Sequence, residues 1–471
     1  MRVRITPGGK VEGSARVPGD KSVAHRWLIL AATAEGTSAL VEVPGSLDVR
    51  STARCLAAVA PNARGALERW ASNDAPATEG QGSTWNPTVV QPPGAALEVE
   101  GEGRAGLVEA AHDLDCENSG TSARLLAGLV AASPFRSVLT GDASLRDRPM
   151  ERVAEPLRAM GARIRTTEGH APLTIDGGNL RGITYPIPIP TAQVKSSVLL
   201  AGLAADGTTT VIEPAATRDH TERAIAALGG PVHVEEGAVS VEGRAVSVGG
   251  KAVSVERFQH EGFHGVVPGD PSSAAFLIGA AALTGGELTI ENVGLNPSRL
   301  YFLEVMDRLG IHTESRIERD EVGEPVGDLW VAPCDGIRST RIEEAELPLI
   351  IDEVPVLAML AAHAGGDSWF LGAGELRVKE SDRLAGVAEA IARLGGHAAA
   401  EGDDLIVAGG GLEGGIARAA GDHRMAMAAA VAGLAAQRPV EVEGMEAADV
   451  SFPGFLAMLR DLGATVEVTA S

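Results

Sequence analysis

Several short stretches set lysine and arginine beside residues that begin helices. The first is Val17-Pro18-Gly19-Asp20-Lys21-Ser22-Val23-Ala24-His25-Arg26, a Pro-Gly turn that opens onto an apolar run at 27–34. Asp20 or Ser22 can cap the helix that this run predicts. A helix start offers unpaired N–H groups and a positive dipole end, and Lys21 and Arg26 add two full charges to it. Arg148 stands before Pro149 at a second predicted start, and Arg424 follows Asp422-His423 at a third. Arg377, Lys379 and Arg383 share seven residues with Glu380 and Asp382, and Ser381 or Asp382 is placed to cap there. Arg218-Asp219-His220-Thr221-Glu222 supplies another cation. Taken singly, each stretch is an ordinary charged helix start facing water. Together, in a chain of formal net charge −23, they gather positive charge against the average. Arginine grips phosphate or carboxylate with two donors and lysine adds a point charge, so the pattern predicts a cleft for one or two multiply anionic small molecules.

Carboxylates beside those cations are candidates for proton transfer. Asp352, in Leu349-Ile350-Ile351-Asp352-Glu353-Val354-Pro355, follows what reads as an apolar strand and precedes a buried helix, so capping and base roles are both open to it. Glu380 lies between Lys379 and Arg383, whose charges would set its pKa. Asn118-Ser119-Gly120-Thr121-Ser122-Ala123-Arg124 is a small-residue turn where backbone can approach a ligand closely. Thr191 and Gln193, in Pro190-Thr191-Ala192-Gln193-Val194-Lys195-Ser196, offer a hydroxyl and an amide to orient a polyol. The glycines at 409–411 and 414–415 precede no good helix, which argues against a dinucleotide fingerprint, and no Walker A sequence is present. His25, His220 and His423 lack ligand spacing, so no metal is expected.

The elements that must position these residues repeat. Anchors at Asp20, Asn118, Gln193, Asp270, Asp352 and Asp422 each begin a small-residue helix, over 23–33, 123–132, 196–205, 274–283, 354–362 and 425–435. Helices apolar around most of their circumference are buried, and their alanines and glycines allow close packing. Amphipathic second helices follow, five of them stopping at Gly161, Gly229, Gly310, Gly395 and Gly463, each followed by an alternating strand. Pro18-Gly19-Asp20-Lys21-Ser22 is echoed by Pro268-Gly269-Asp270-Pro271-Ser272, near the middle of the 471 residues. These read as two crossings between two domains of three repeats each: 1–17 with 268–471, and 18–267, with the active site in the cleft between them. A Pro-, Gly-, Ser- and Thr-rich stretch at 73–94 reads as an inserted surface loop.

Composition narrows the setting. The chain is 45% hydrophobic but only 3% aromatic, with 58 glycines, so its cores pack small side chains. The acidic balance argues against nucleic acid or anionic membrane as a partner. Cys55, Cys116 and Cys334 are odd in number and far apart, which fits reduced thiols. The N-terminus alternates like a strand rather than a signal peptide, and no apolar run approaches the roughly 20 residues of a membrane span. A soluble, cytoplasmic, monomeric protein is expected.

At this point the residues resemble a known family, the EPSP synthases (3-phosphoshikimate 1-carboxyvinyltransferases). The stretches at 18–26 and 376–383 look like its two signature sequences, and the similarity covers nearly the whole chain outside 73–94. Thr191-Ala192-Gln193-Val194-Lys195 and Arg218-Asp219-His220-Thr221-Glu222 resemble its class II branch. Asn296-Pro297-Ser298-Arg299 is close to a further class II motif, with serine for the more usual threonine. The resemblance implies an α/β enolpyruvyl transferase fold: two domains, six βαβαββ units, buried helices and outer sheets. It also implies transfer of the enolpyruvyl group of phosphoenolpyruvate to the 5-hydroxyl of shikimate 3-phosphate, with release of phosphate and no cofactor. Carried over residue by residue, Lys21, Ser22, Arg26, Thr191, Gln193, Arg218, Asp352 and Lys379 would bind shikimate 3-phosphate. Phosphoenolpyruvate would sit against Lys21, Gly120, Arg148, Gln193, Arg383 and Arg424. Asp352 would be the base, and Glu380 with Lys21 would protonate the methylene carbon.

The chain departs from the family pattern in places. Val450 stands where many members have lysine, Glu375 where class I members have a substrate-contacting asparagine, and Ala192 where class I members have serine. Gly120, alanine in some glyphosate-insensitive members, implies room for glyphosate. Two alternatives stand beside this reading: enolpyruvyl transfer to UDP-N-acetylglucosamine on the same fold, and a non-catalytic anion-binding repeat protein. Lys21-Ser22 differs from the Lys-Asn pair usual in the first, and the second has no need of Asp352 with Glu380.

Overall fold

In the computed structural model, residues 1–72, 96–243 and 258–469 are described, so the expected loop at 73–94 lies outside the described residues. Six helices rich in alanine and leucine form its interior: α1 (Lys21–Ala32), α2 (Gly120–Ala131), α3 (Ala192–Gly202), α4 (Pro271–Thr284), α5 (Val354–Ala361) and α6 (His423–Gly433). Every residue of α5 and α6 is buried, as a helix without a polar face requires. Small side chains permit the contacts: a Cβ on Gly128 of α2 would fall 2.1 Å from the carbonyl oxygen of Ser197 in α3.

Four inner helices begin on a side-chain cap. Asp20 accepts from Ser22 N at 2.7 Å, Ser119 from Ser122 N at 3.1 Å, Asp270 from Ser272 N at 2.8 Å and Asp422 from Arg424 N at 2.9 Å. The start of α5 differs from expectation. The stretch before Asp352 is a helical turn, Leu347–Ile350, with Pro348 near its start, not a strand. Four apolar residues fit either state, and a proline near the first helical position favours the turn. Asp352 caps nothing; Glu353 occupies the N-cap position of α5 without a side-chain bond.

The second helices, such as Glu151–Met160 and Arg383–Arg393, bury one face and expose the other. The five terminating glycines all adopt positive φ, from 77° at Gly229 to 115° at Gly161, where a side chain would be strained. Outside lie, among the described residues, six small sheets, five of four strands and one of three. A representative one pairs Leu114–Asp115 parallel to Arg136–Thr140, then antiparallel to His170–Asp176 and on to Arg163–Thr167.

Residues 1–17, expected to join 268–471, hold two strands. Arg2–Thr6 lies between Val440–Glu443 and Thr465–Thr469, and Gly13–Ala15 joins Leu288–Gly294. Two separate hydrophobic cores result, one from residues between Val23 and Val267, the other from Val3–Val17 together with residues between Ala274 and Val466. The chain passes between them twice, and the crossings run side by side: Asp20 N donates to Pro268 O at 2.7 Å and Asp270 N to Pro18 O at 2.8 Å. No helix among the described residues is long and apolar enough to cross a membrane.

Candidate active site

A polar cleft opens where the first turns of α1, α2, α3 and α6 converge. Lys21 and Ser22 come from α1, Gly120, Thr121 and Arg124 from α2, Gln193 from α3 and Arg424 from α6. Loops add Arg148, Thr191, Arg218 and Asp352, and the turn Ala373–Val378 with the residues after it brings Glu375, Lys379 and Glu380. Seven cations of the lining (Lys21, Arg124, Arg148, Arg152, Arg218, Lys379, Arg424) face four carboxylates (Asp48, Asp352, Glu375, Glu380). In a chain of net charge −23 this is a local reversal of sign, held around a few acids.

Asp352 is the most heavily engaged acid. Its carboxylate lies 2.6 Å from Arg218 Nη2, 3.4 Å from Arg383 Nη1 and 3.6 Å from Arg424 Nη2. Arg424 also donates to its backbone carbonyl at 3.0 Å. Burial pushes the Asp352 carboxyl up, but Arg424, Arg218, Lys379 and Arg383 more than reverse this and hold it well below the usual carboxylate range. Glu380 behaves alike: burial raises it, while Arg383 at 2.6 Å, with Arg148 and Lys21 nearby, brings it well below. Both acids are therefore ionised at neutral pH. Behind them Arg383, 1% exposed, joins Asp352, Glu380 and Asp422, the last at 2.8 Å.

The opposite wall orients polar groups. Lys21 Nζ rests on Asp48 Oδ2 at 2.7 Å. Gln193 accepts from Arg124 Nη1 at 2.5 Å and donates to Thr121 Oγ1 at 3.0 Å. Arg148 donates to Asn118, whose amide donates to Asp142 at 2.8 Å. At the rim Arg152 reaches across to Glu375, with contacts of 3.0 and 3.3 Å.

Eleven of the thirteen residues expected in the site line this cleft: Lys21, Ser22, Gly120, Arg148, Thr191, Gln193, Arg218, Asp352, Lys379, Glu380 and Arg424. Arg383 backs it. Arg26 lies one layer beneath, donating to Ser22 O at 2.7 Å, Thr221 Oγ1 at 2.7 Å and Ser196 Oγ at 2.8 Å. Asp48 and Arg152 were not anticipated. Asp48 lies in the first turn of Leu47–Val59 and Arg152 near the start of Glu151–Met160, positions where charges are commonplace. Val450, at the end of the turn Met445–Val450, is not among the lining residues.

This arrangement neutralises itself until an anion arrives. A phosphate or carboxylate entering the cleft competes for Arg218, Arg383 and Arg424. To the extent that it takes them, the field depressing Asp352 and Glu380 weakens and both carboxyls shift upward.

Comparison with known proteins gives a consistent result. The family model described as EPSP synthase (3-phosphoshikimate 1-carboxyvinyltransferase) matches residues 5–91 and 88–459. A 3-phosphoshikimate 1-carboxyvinyltransferase of Halorhodospira halophila is 45% identical over 470 residues, covering 99% of this chain and 97% of its own. One from Methylococcus capsulatus is 44% identical over 466 residues, covering 98% of each. Among solved structures, an EPSP synthase from Acinetobacter baumannii superposes with a TM-score of 0.80 at 37% identity, over 100% of both chains. The enolpyruvyl transferase NikO from Streptomyces tendae, 18% identical with a TM-score of 0.70 over 100% of this chain and 99% of its own, shares the fold.

Proposed function

The chain belongs to the EPSP synthase family and transfers the enolpyruvyl group of phosphoenolpyruvate to shikimate 3-phosphate in chorismate biosynthesis, and we propose how its cleft residues divide that work. The observation that carries the division is the pair Asp352 and Glu380, each half-buried among cations in one cleft.

Shikimate 3-phosphate is read as bound by Lys21, Ser22, Thr191, Gln193, Arg218, Asp352 and Lys379, with Arg26 holding Ser22 and Ser196 from beneath. Phosphoenolpyruvate is read as bound by Lys21, Gly120, Arg148, Gln193, Arg383 and Arg424. Two anions repel each other, and the seven cations of the lining offset that repulsion so that the reacting atoms meet. Asp352, ionised, accepts the proton of the 5-hydroxyl. Glu380 takes up a proton from water as the incoming anion draws Arg383 and Arg148 from it and, assisted by Lys21, passes that proton to the methylene carbon. Protonation builds positive charge at C2 and the hydroxyl oxygen attacks there; the tetrahedral intermediate then returns a methyl proton to Glu380 as its C2–O bond to phosphate breaks, which restores the carbon–carbon double bond of the enolpyruvyl product. Only the transition state carries this separation of charge beside fixed cations and anions, so binding energy is spent where it lowers the barrier.

The two cores are read as two domains, 1–17 with 268–471 and 18–267, closing on the substrates about the paired crossings. Class II membership is supported by the way its three motifs touch. Lys195 meets Glu222 at 2.7 Å, and Asn296 and Ser298 donate to Asp219 at 2.7 and 2.9 Å. Action as a monomer is part of this reading, and free cysteines agree with a reducing, cytoplasmic setting. The decisive experiment measures phosphate release from phosphoenolpyruvate. It should require shikimate 3-phosphate; release prompted by UDP-N-acetylglucosamine instead, or no release with either acceptor, would overturn the reading.

A further inference from the structure

Between the two crossings lies a buried arginine that does not line the cleft. Arg299 ends the turn Pro297–Arg299 and is 2% exposed. One terminal nitrogen donates to Asp20; the other donates to Asp270 Oδ1 and to Ser272 Oγ, both at 2.9 Å. Asp20 caps α1 and Asp270 caps α4, so a single guanidinium holds the starts of two helices that belong to different cores. The linkage extends to the cleft at both ends. Asp20 immediately precedes Lys21, and Ser272 donates to the carboxylate of Glu353, which immediately follows Asp352.

The caps do not need Arg299 for their own sake. Asp20 and Asp270 already accept from Ser22 N and Ser272 N, and the crossings are joined by their own backbone bonds. What the guanidinium adds is a rigid spacing, since its planar fork fixes two acceptors at set directions where an ammonium fixes neither. We propose that Arg299 is a positioning residue for enolpyruvyl transfer, setting Lys21 against Asp352 through the two helix caps when the halves close on substrate. This rests on the cleft being the site of that transfer. Misplacing reacting groups by about 1 Å costs about 10²-fold in rate, so the consequence is measurable.

The test compares R299K, which keeps the charge and loses the fork, and S272A, which removes the link to Glu353. Each is assayed for phosphate release at saturating substrates and for shikimate 3-phosphate binding by calorimetry without phosphoenolpyruvate. The expected result is a kcat about 100-fold lower for R299K and about tenfold lower for S272A, with binding of shikimate 3-phosphate within about threefold of the unaltered protein. A kcat within about threefold in both variants, or a loss confined to KM and binding, overturns the proposal. If R299K does not fold, S272A decides alone by the same criteria. Failure of the unaltered protein to turn over would instead sink the functional reading, so the two failures are distinguishable.

Discussion

Arg218 and Asp352 stand 134 residues apart in sequence and 2.6 Å apart in the cleft, guanidinium against carboxylate. One packs with the first core's segment and the other with the second's, so neither segment alone holds a complete site. The pair holds Asp352 as an ionised group and gives Arg218 an anion that a substrate can replace.

Replacing Asp352 with asparagine tests this directly. D352N keeps the shape and removes the charge, so turnover should fall by about 10²–10⁴-fold. Shikimate 3-phosphate should bind as well or better, because Arg218 and Arg424 are relieved of their carboxylate. Single-turnover phosphate release with calorimetry checks both parts; turnover within tenfold of the unaltered protein would remove Asp352 from the base role.

Lys21→Met and Arg424→Ala should each abolish turnover in a protein that still folds. Lys21 leaves a mostly buried Asp48 behind, so K21M should lose stability as well, by about 1–3 kcal/mol. Circular dichroism and denaturant midpoints separate the two effects. Normal turnover in either variant would contradict the site map.

Gly120→Ala should weaken phosphoenolpyruvate binding by about tenfold, or about 1.4 kcal/mol, and glyphosate binding by at least as much. A Cβ there would stand 2.9 Å from Arg124 Nη1 and 3.2 Å from Arg148 Nη1, displacing both guanidinium ends. Steady-state KM values with and without glyphosate measure this, and an unchanged KM for phosphoenolpyruvate would show that the glycine is not near its site.

Glu375→Gln should cost little stability, about 0–1 kcal/mol, because its bridge to Arg152 is partly exposed, with side chains 41% and 29% accessible. It also frees a cation at the mouth of the cleft. The KM for shikimate 3-phosphate should drop a few-fold at low salt, and the difference should shrink as salt screens it. A rise in KM would mean that Glu375 itself contacts the substrate favourably.

Stability should fall as pH drops from about 6.5 toward 5. Burial lowers His25 and His423 to about 3, whereas both titrate near 6.5 in the unfolded chain. In that window the unfolded state binds more protons, so acid favours unfolding. Asp352 and Glu380 are also depressed, but their contribution is complete above the unfolded carboxylate value near 4 and is lost only below it. Melting temperature against pH and histidine NMR provide the check. Either imidazole titrating near 6.5 in the folded protein would contradict the prediction.

Much of this molecule was legible in the chain. Apolar helices of small residues must be buried, a glycine after an amphipathic helix marks its end, and a repeated Pro-Gly-Asp turn marks equivalent positions. These are local consequences of side-chain size, periodicity and backbone freedom, and they held from α1 to Gly463. Cations at helix starts were visible as well, because a strongly acidic composition makes each of them conspicuous. Tertiary structure alone decided which charges meet. Asp48 under Lys21, Arg152 across from Glu375 and Arg299 between Asp20 and Asp270 join residues 27, 223, 279 and 29 positions apart. No local pattern encodes such pairings. It also turned the run before Asp352 into a helical turn and put Arg26 beneath the cleft instead of in it. Short apolar segments and single arginines take their state from what packs against them, and that is set only when the two cores come together.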